Sequence, residues 1–351
     1  MAAVAVSVSI YADETRPFRM GFTPFPYDMT LEAITDGKKF FAGNADIMAQ
    51  HMESIPWTEA LNGKPFSKHL TDDWNGRRDR TPKNAKIYLA LSPGRGDLAK
   101  YWGEKEDLPL PKEFKGKPFN DPLVKQAYLA YCKRAIAVWK PDFMCIGIEV
   151  NEIFTGSKKN WDAYAELHKY VYAELKKEHP KLPISASFTL HNLLNKGENK
   201  PMVEACRQIM DSCDFVAISF YPFIAGLTGR EDYAFDWLGK NFDNYKKPYA
   251  IVETGEAAET LKLPQSGVTI FGTPEKQRAY FEKLMTRATD KKYLFVIGFL
   301  YRDYDALWEK IKAGAPELFL AWKDCGLVDE KGKSRPAHDV WRKHFRLPTT
   351  P

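Results

Sequence analysis

Residues 143–154 read FMCIGIEVNEIF, an apolar run with two glutamates and an asparagine set into its far end. Its apolar core predicts a buried strand over Phe143–Val150, and the stretch before it predicts a helix. In DPLVKQAYLAYCKRAIAVW (121–139), Val124, Tyr128, Tyr131, Ala135 and Trp139 recur at helical spacing behind an Asp-Pro start. The same alternation runs along the chain. Strand-like runs fall at Met20–Thr23, Ala45–Ala49, Ile87–Leu91, Ile184–Phe188, Phe215–Phe220, Tyr249–Val252 and Leu294–Leu300, with amphipathic stretches between them. One of these, TPEKQRAYFEKLM (273–285), opens with Thr273 as N-cap and Pro274 in the first turn.

Eight strands alternating with helices over 351 residues predict a closed (β/α)8 TIM barrel. A doubly wound sheet normally has a Gly-rich turn after its first strand, and here PFPYD follows instead. No Pro-, Gly- or Ser-rich linker divides the chain, so one catalytic domain is expected over 16–348. Residues 1–15, beginning MAAVAVSVSIYADE, read as a tail or the remnant of a signal sequence without a positive n-region.

Composition prunes the function classes. The 51 basic and 46 acidic side chains leave a net charge of +5, but they are interspersed and form no basic block of the kind that grips nucleic acid. No run reaches membrane-spanning length. The five cysteines lack zinc-ligand spacing, and Cys206 and Cys213 fall about two turns apart on one predicted helix, too far to bridge. The seven histidines include no His-x-His or HExxH pair, and GxSxG and Walker loops are missing too. No cofactor and no metal are expected, and the chain is expected to be a monomer. Aromatics make up 14% of the chain; most must pack the core, and some can line a sugar groove.

Barrel chemistry belongs at the C-terminal ends of strands. The fourth run ends in Asn151-Glu152 and the seventh, PYAIVETGE (248–256), in Glu253. Two carboxyls about 5–5.5 Å apart across the barrel mouth suit a retaining glycosidase, one attacking the anomeric carbon while the other protonates the leaving oxygen. In a strand, 149 and 151 point one way and 150 and 152 the other, and the end of a barrel strand bends. Alternation therefore leaves open whether Glu149 or Glu152 is the acid; Glu149 also reads as a support in the upper barrel layer.

The Asn-Glu at the fourth strand with a Glu at the seventh resembles the clan of (β/α)8 retaining glycoside hydrolases. DFVAISFYPF (214–223) and KKPYAIVETGEA (246–257) resemble the corresponding segments of glycoside hydrolase family 53, the endo-β-1,4-galactanases. GLVDEKGKSRPAHDVW (326–341) is similar to a common ending of such barrels, while GFTPFPYDMTLEAI (21–34) and HMESIPW (51–57) resemble barrel proteins grouped near that family. The resemblance implies acid/base Glu152, nucleophile Glu253, Asn151 on the sugar 2-hydroxyl and Tyr221 holding the nucleophile. It implies an oligo- or polysaccharide substrate, galactan-like, and a secreted or periplasmic setting. Departures are Val150 where the family places Gly, and Tyr301, Arg302 and Asp303 where the clan often ends strand eight with Trp. The Arg often found near strand two is not evident. They leave open a barrel that binds glycan without cleaving it, and a glycosidase acting on mannan, xylan or glucan.

Further groove candidates are His51 and Trp57 after the second strand, His191 after the fifth, Tyr301 and Trp308 after the eighth, and Trp237 after the sixth. SPGRGDLAKYWG (92–103) presents Arg95, Asp97 and Trp102 above the barrel, as a sugar-binding or a plain loop.

Overall fold

The computed structural model describes residues 15–194 and 197–350. The expected tail therefore lies outside the described residues, apart from an exposed Thr15. Eight positions of one parallel sheet close into a barrel: β1 Arg19–Phe22, β2 Ile47–Met52, β3 Lys86–Leu91, β4 Phe143–Cys145, β5, β6 Val216–Phe220, β7 Tyr249–Thr254 and β8 Phe295–Gly298. Strand β5 is interrupted, with Ile184–Ser185 pairing β4 and Ser187–Thr189 pairing β6. The sheet order runs from one piece of β5 through β4, β3, β2, β1, β8, β7 and β6 to the other piece, so the interrupted strand closes the ring.

The alternation of side chains builds two layers of core. Ile47 and Ala49, Tyr88 and Ala90, Phe215 and Ala217, Ala250 and Val252, and Phe295 and Ile297 meet inside the barrel. Their neighbours Met48, Leu89, Val216, Ile218, Ile251 and Val296 point outward into a second layer. Gly21 occupies an inward position of β1, where a Cβ would lie 1.6 Å from the Ile47 carbonyl oxygen, so only glycine lets β1 and β2 pair there.

The outer layer comes from helices α1 Leu31–Asn44, α2 Lys68–Arg80, α3 Pro122–Trp139, α4 Lys158–Glu178, α5 Lys200–Met210, α6 Glu231–Phe242, α7 Pro274–Asp290 and α8 Pro336–Phe345. Asp121 caps α3 by accepting from the Leu123 amide, and the five periodic residues of that helix are all buried. Full burial of such side chains is worth about 1.5–3 kcal/mol each, which outweighs any propensity term. Thr273 caps α7 through the Lys276 amide, as its sequence predicts.

Two predicted elements differ. Strand β4 stops at Cys145, and the chain turns through 147–150 before a short helix, Asn151–Gly156. Gly147 permits that turn: a Cβ there would lie 1.9 Å from Tyr164 Oη. Helix α5 ends at Met210, so Cys213 is not on it. All five cysteines are free and buried. Among the described residues, no helix is long and apolar enough to cross a membrane.

Candidate active site

The C-terminal ends of the strands open into a cavity of about 710 Å³. Strand β7 delivers Glu253 to it by breaking its own alternation. Ala250 and Val252 face the barrel interior, so a regular strand would turn residue 253 outward. Against β6, however, Ile251 pairs with Ile218 and Glu253 with Ser219, leaving Val252 as an extra residue. This bulge returns Glu253 to the inward side, level with Ser219, which follows Phe215 and Ala217. Thr254 is left on the outer side, where its hydroxyl bonds Tyr280 and the Phe220 carbonyl.

Glu149 arrives by a different device. Past the end of β4 it sits at φ 51°, a left-handed conformation uncommon outside glycine and asparagine. Its amide donates to Ser187 Oγ at 2.8 Å, and Ser219 Oγ donates to its Oε1 at 2.6 Å. Since Ser219 pairs with Glu253 on the adjacent strand, about 4.8 Å away, the two carboxyls are neighbours at the mouth of the barrel.

Their surroundings drive them apart electrostatically. Burial pushes Glu149 up, the charge of Glu253 pushes it further, and Arg95 opposes both; the result is a carboxyl raised to about 8. Burial also acts to raise Glu253, but hydrogen bonds from His51 and Tyr221 and the charge of Arg95 outweigh it, and its pKa is lowered. Tyr221 Oη donates to Glu253 Oε1 at 2.6 Å, and His51 Nδ1 lies 3.1 Å from Oε2. The two carboxyls are thus pushed in opposite directions, Glu149 toward holding its proton and Glu253 toward losing it.

Arg95 bridges this pair to the rim. Its Nη1 lies 3.2 Å from Glu149 Oε2 and 3.1 Å from Glu152 Oε2, and its Nε lies 3.4 Å from Glu53 Oε2. Burial alone would lower its pKa; the four glutamates around it more than reverse that. The arginine missing from strand two in the sequence thus has a counterpart in the loop after β3. His191 lines the cavity as a neutral ring, its pKa lowered to about 4 by burial against the opposing charge of Glu253. It accepts a long 3.5 Å hydrogen bond from the Tyr221 amide.

Other candidates divide. Glu152 is on the cavity rim in the first turn of its helix, bonded to Arg95 and, at 3.5 Å, to Asn192 Nδ2. Trp308 lines the cavity as well. Asn151 turns away from it: fully buried, it donates to the Thr189 carbonyl and hydroxyl and accepts the Thr189 amide at 2.8 Å. No face is left for a sugar hydroxyl, because the left-handed turn at Glu149 rotates the next residues off the barrel axis. Trp57 is core, its Nε1 donating to the Ala99 carbonyl at 2.7 Å and its ring against Phe114 and Tyr128. Tyr301 is packed among Phe40, Phe41 and Tyr27, away from the cavity, because β8 ends at Gly298 and the chain has turned by then. Trp237 is buried, and Trp102 is exposed on the two-residue strand Tyr101–Trp102. Asp97 is exposed.

Sequence reasoning missed Ser219, Glu53, Phe299, Tyr304 and Trp322. Ser219 and Glu53 carried a signal, a polar residue at or just beyond a strand end. The three aromatics are positioned by loop geometry alone. Phe299 and Trp322 pack edge-on against Tyr221 at 6.3 and 5.6 Å between ring centres, and Tyr304 packs against Phe299 at 5.8 Å. These contacts place an aromatic floor under Tyr221. Two trios of acidic side chains elsewhere, Glu259-Asp303-Glu330 and Asp303-Asp305-Asp324, approach cation-binding spacing, but Arg335 occupies Asp303 at 2.6 Å and Lys323 occupies Asp305 and Asp324.

No family model matches this chain, and no curated protein matches it. Solved structures do. An exo-β-1,4-mannosidase from an Opitutaceae bacterium, strain TAV5, is similar with a TM-score of 0.61 at 12% identity, over 96% of this chain and 61% of that one. The chain thus spans less than two thirds of that protein. A GH5_18 protein from Bifidobacterium longum in complex with Manβ1-4GlcNAc is similar with a TM-score of 0.65 at 15% identity, over 95% and 80%. A β-glucuronidase from Ruminococcus gnavus is similar with a TM-score of 0.53 at 11% identity, over 94% and 49%. At these identities the likeness shows the barrel fold, and it gives no support to family 53 in particular or to a galactan substrate.

Proposed function

We propose that this barrel is a retaining glycoside hydrolase acting on β-linked sugars, with Glu253 as nucleophile and Glu149 as acid/base. The observation that carries the reading is a pair of neighbouring carboxyls lining the cavity at the barrel mouth in opposite surroundings, Glu253 held by Tyr221 and His51, Glu149 buried beside it with its pKa raised. Glu253, held by Tyr221 and His51, attacks the anomeric carbon as the bond to the leaving oxygen breaks. Glu149 gives that oxygen its proton. The glycosyl ester that forms neutralises Glu253, which removes one of the influences raising Glu149, the others being burial and the charge of Glu152. The pKa of Glu149 falls, and its carboxylate then takes a proton from the water that attacks the anomeric carbon and frees Glu253. One change of charge thus converts the acid into the base at the step that needs it.

The family resemblance assigned the acid to Glu152. The rim position of Glu152, its pairing with Arg95 and the withdrawal of Asn151 all favour Glu149 instead. Among substrates, the mannose-directed structural neighbours favour a β-mannoside over galactan. The test is hydrolysis of 4-nitrophenyl β-mannopyranoside, β-glucopyranoside and β-galactopyranoside by the native protein and by Glu253→Gln. Loss of the nucleophile is expected to cost at least about 10³-fold in kcat; turnover of any of the three at native rate by the variant overturns the reading.

A further inference from the structure

Away from the carboxylates, the cavity wall is apolar. The chain between β8 and α8 folds over the barrel mouth as a helix, Asp305–Ile311, and a 3-10 helix, Glu317–Trp322. Leu307, Trp308 and Ile311 from the first and Leu318, Phe319 and Trp322 from the second line the cavity. Leu318 and Phe319 are 55% and 52% exposed, and with Leu307, Trp308, Ile311 and Trp322 they form one contiguous apolar lining. The wall is anchored. Glu317 accepts the backbone amides of Gln265 and Ser266. Leu320, Ala321 and Trp322 pack on a small core with Ala257, Leu263 and Ile270. The wall begins one ring away from the nucleophile, because Trp322 packs edge-on against Tyr221. The charged group beside it, Lys323, is already held by Asp305 at 2.7 Å and by Asp324.

Leu, Ile and Phe offer no hydrogen bonds to sugar hydroxyls, and hydroxyls buried against them would lose their water without replacement. Stacked aromatics alone suit a sugar face; aliphatic side chains beside them suit hydrocarbon. Resting on the glycosidase reading above, we infer that the substrate is a glycoside bearing a hydrocarbon group, which lies against the 305–322 wall while the sugar meets the carboxylates. The same hydrocarbon chemistry has two sources: an alkyl or aryl leaving group, or an acyl chain esterified to the sugar that is attacked.

The test is calorimetric binding to Glu253→Gln, which holds substrate without turning it over. The probes are methyl β-D-mannoside, hexyl β-D-mannoside and methyl 6-O-hexanoyl-β-D-mannoside. Each methylene that reaches the wall strengthens binding roughly threefold to fourfold. The expected result is at least about tenfold tighter binding of the hexyl or the hexanoyl probe than of the methyl glycoside, and which of the two gains names the source. A Leu318→Asn, Phe319→Asn double substitution removes most of that gain. Both side chains are half exposed, so the change leaves the core intact. Equal binding of all three probes, or a gain untouched by the double substitution, overturns the inference. The glycosidase reading fails separately, when Glu253→Gln turns over 4-nitrophenyl glycosides at native rate whatever the probes do.

Discussion

The ends of β4 and β7 both bring a carboxyl to the barrel mouth, by opposite backbone devices. Strand β7 stays in the sheet and inserts one extra residue, so Glu253 remains braced by ladder hydrogen bonds on both sides. Strand β4 leaves the sheet after three residues and swings Glu149 in through a left-handed turn. A bulge preserves the direction in which a strand presents its side chains and shifts their phase by one. A turn discards the phase altogether. Glu253 is therefore fixed by the sheet, whereas Glu149 is held by Ser187 at its backbone and by Ser219 and Arg95 at its carboxyl.

The sharpest way to break this comparison is to test which glutamate past β4 works. Glu149→Gln and Glu152→Gln lie three residues apart, yet kcat/KM on a glycoside with a poor leaving group is expected to fall about 10²–10⁴-fold for the first and by less than about tenfold for the second, which sits on the rim. For Glu149→Gln the loss should shrink with a 4-nitrophenyl leaving group, which departs without protonation. A larger loss in Glu152→Gln would return the acid to the motif position and make the left-handed turn a structural detail.

The same contrast explains what was legible in the sequence. Barrel topology and all eight strand positions followed from periodicity, because a side chain's face in regular structure is a matter of counting, and the starts of α3 and α7 followed from their Asp-Pro and Thr-Pro pairs. Glu253 was legible as the polar end of an apolar run, although the bulge behind it was not. The region past Cys145 was misread because the apolar run continues through Ile146, Gly147 and Ile148 after the strand has ended. Alternation along that run leaves Glu149 and Glu152 both open, and it is the family's Asn-Glu motif that puts Asn151 and Glu152 forward. Tyr301 failed because its apolar run, too, outlasts its strand, beyond Gly298. Arg95 and the 305–322 wall depend on where long loops fold back, and no local period encodes that.

A smaller effect is expected at Tyr221, which braces Glu253 from just beyond the end of the neighbouring strand. Its hydroxyl donates to a charged carboxylate, a contact worth about 1.5–3 kcal/mol. Tyr221→Phe should lower kcat/KM by roughly ten- to a hundredfold and move the acidic limb of the pH profile upward, since one of the bonds that lowers the Glu253 pKa is gone. The ring keeps its packing against Trp322 and His191, so thermal stability should change little. An acidic limb that stays in place would show that His51 and Arg95 set the ionisation of Glu253 without the tyrosine.

The smallest expected effect is on stability, and it follows from the cost of holding Glu149 protonated. Folded, this carboxyl keeps its proton up to about 8; unfolded, it releases it near the ordinary 4.5. Between those values the folded state binds more protons than the unfolded one, so rising pH works against folding, and above about 8 the loss is complete. Glu149→Gln is neutral in both states and has no such slope. Glu256, raised to about 8 by burial, and Asp303, raised to about 7 mainly by burial, contribute with the same sign in native protein and variant, and so cancel in the difference. The midpoint of thermal unfolding of the variant, measured against the native protein, should therefore rise progressively from pH 4.5 to 8, by a few degrees on the order expected for a chain of this size, and level off beyond. A difference that stays flat across that range would mean Glu149 ionises in the folded protein as it does in water, and the division of labour between the two strand ends would lose its electrostatic basis.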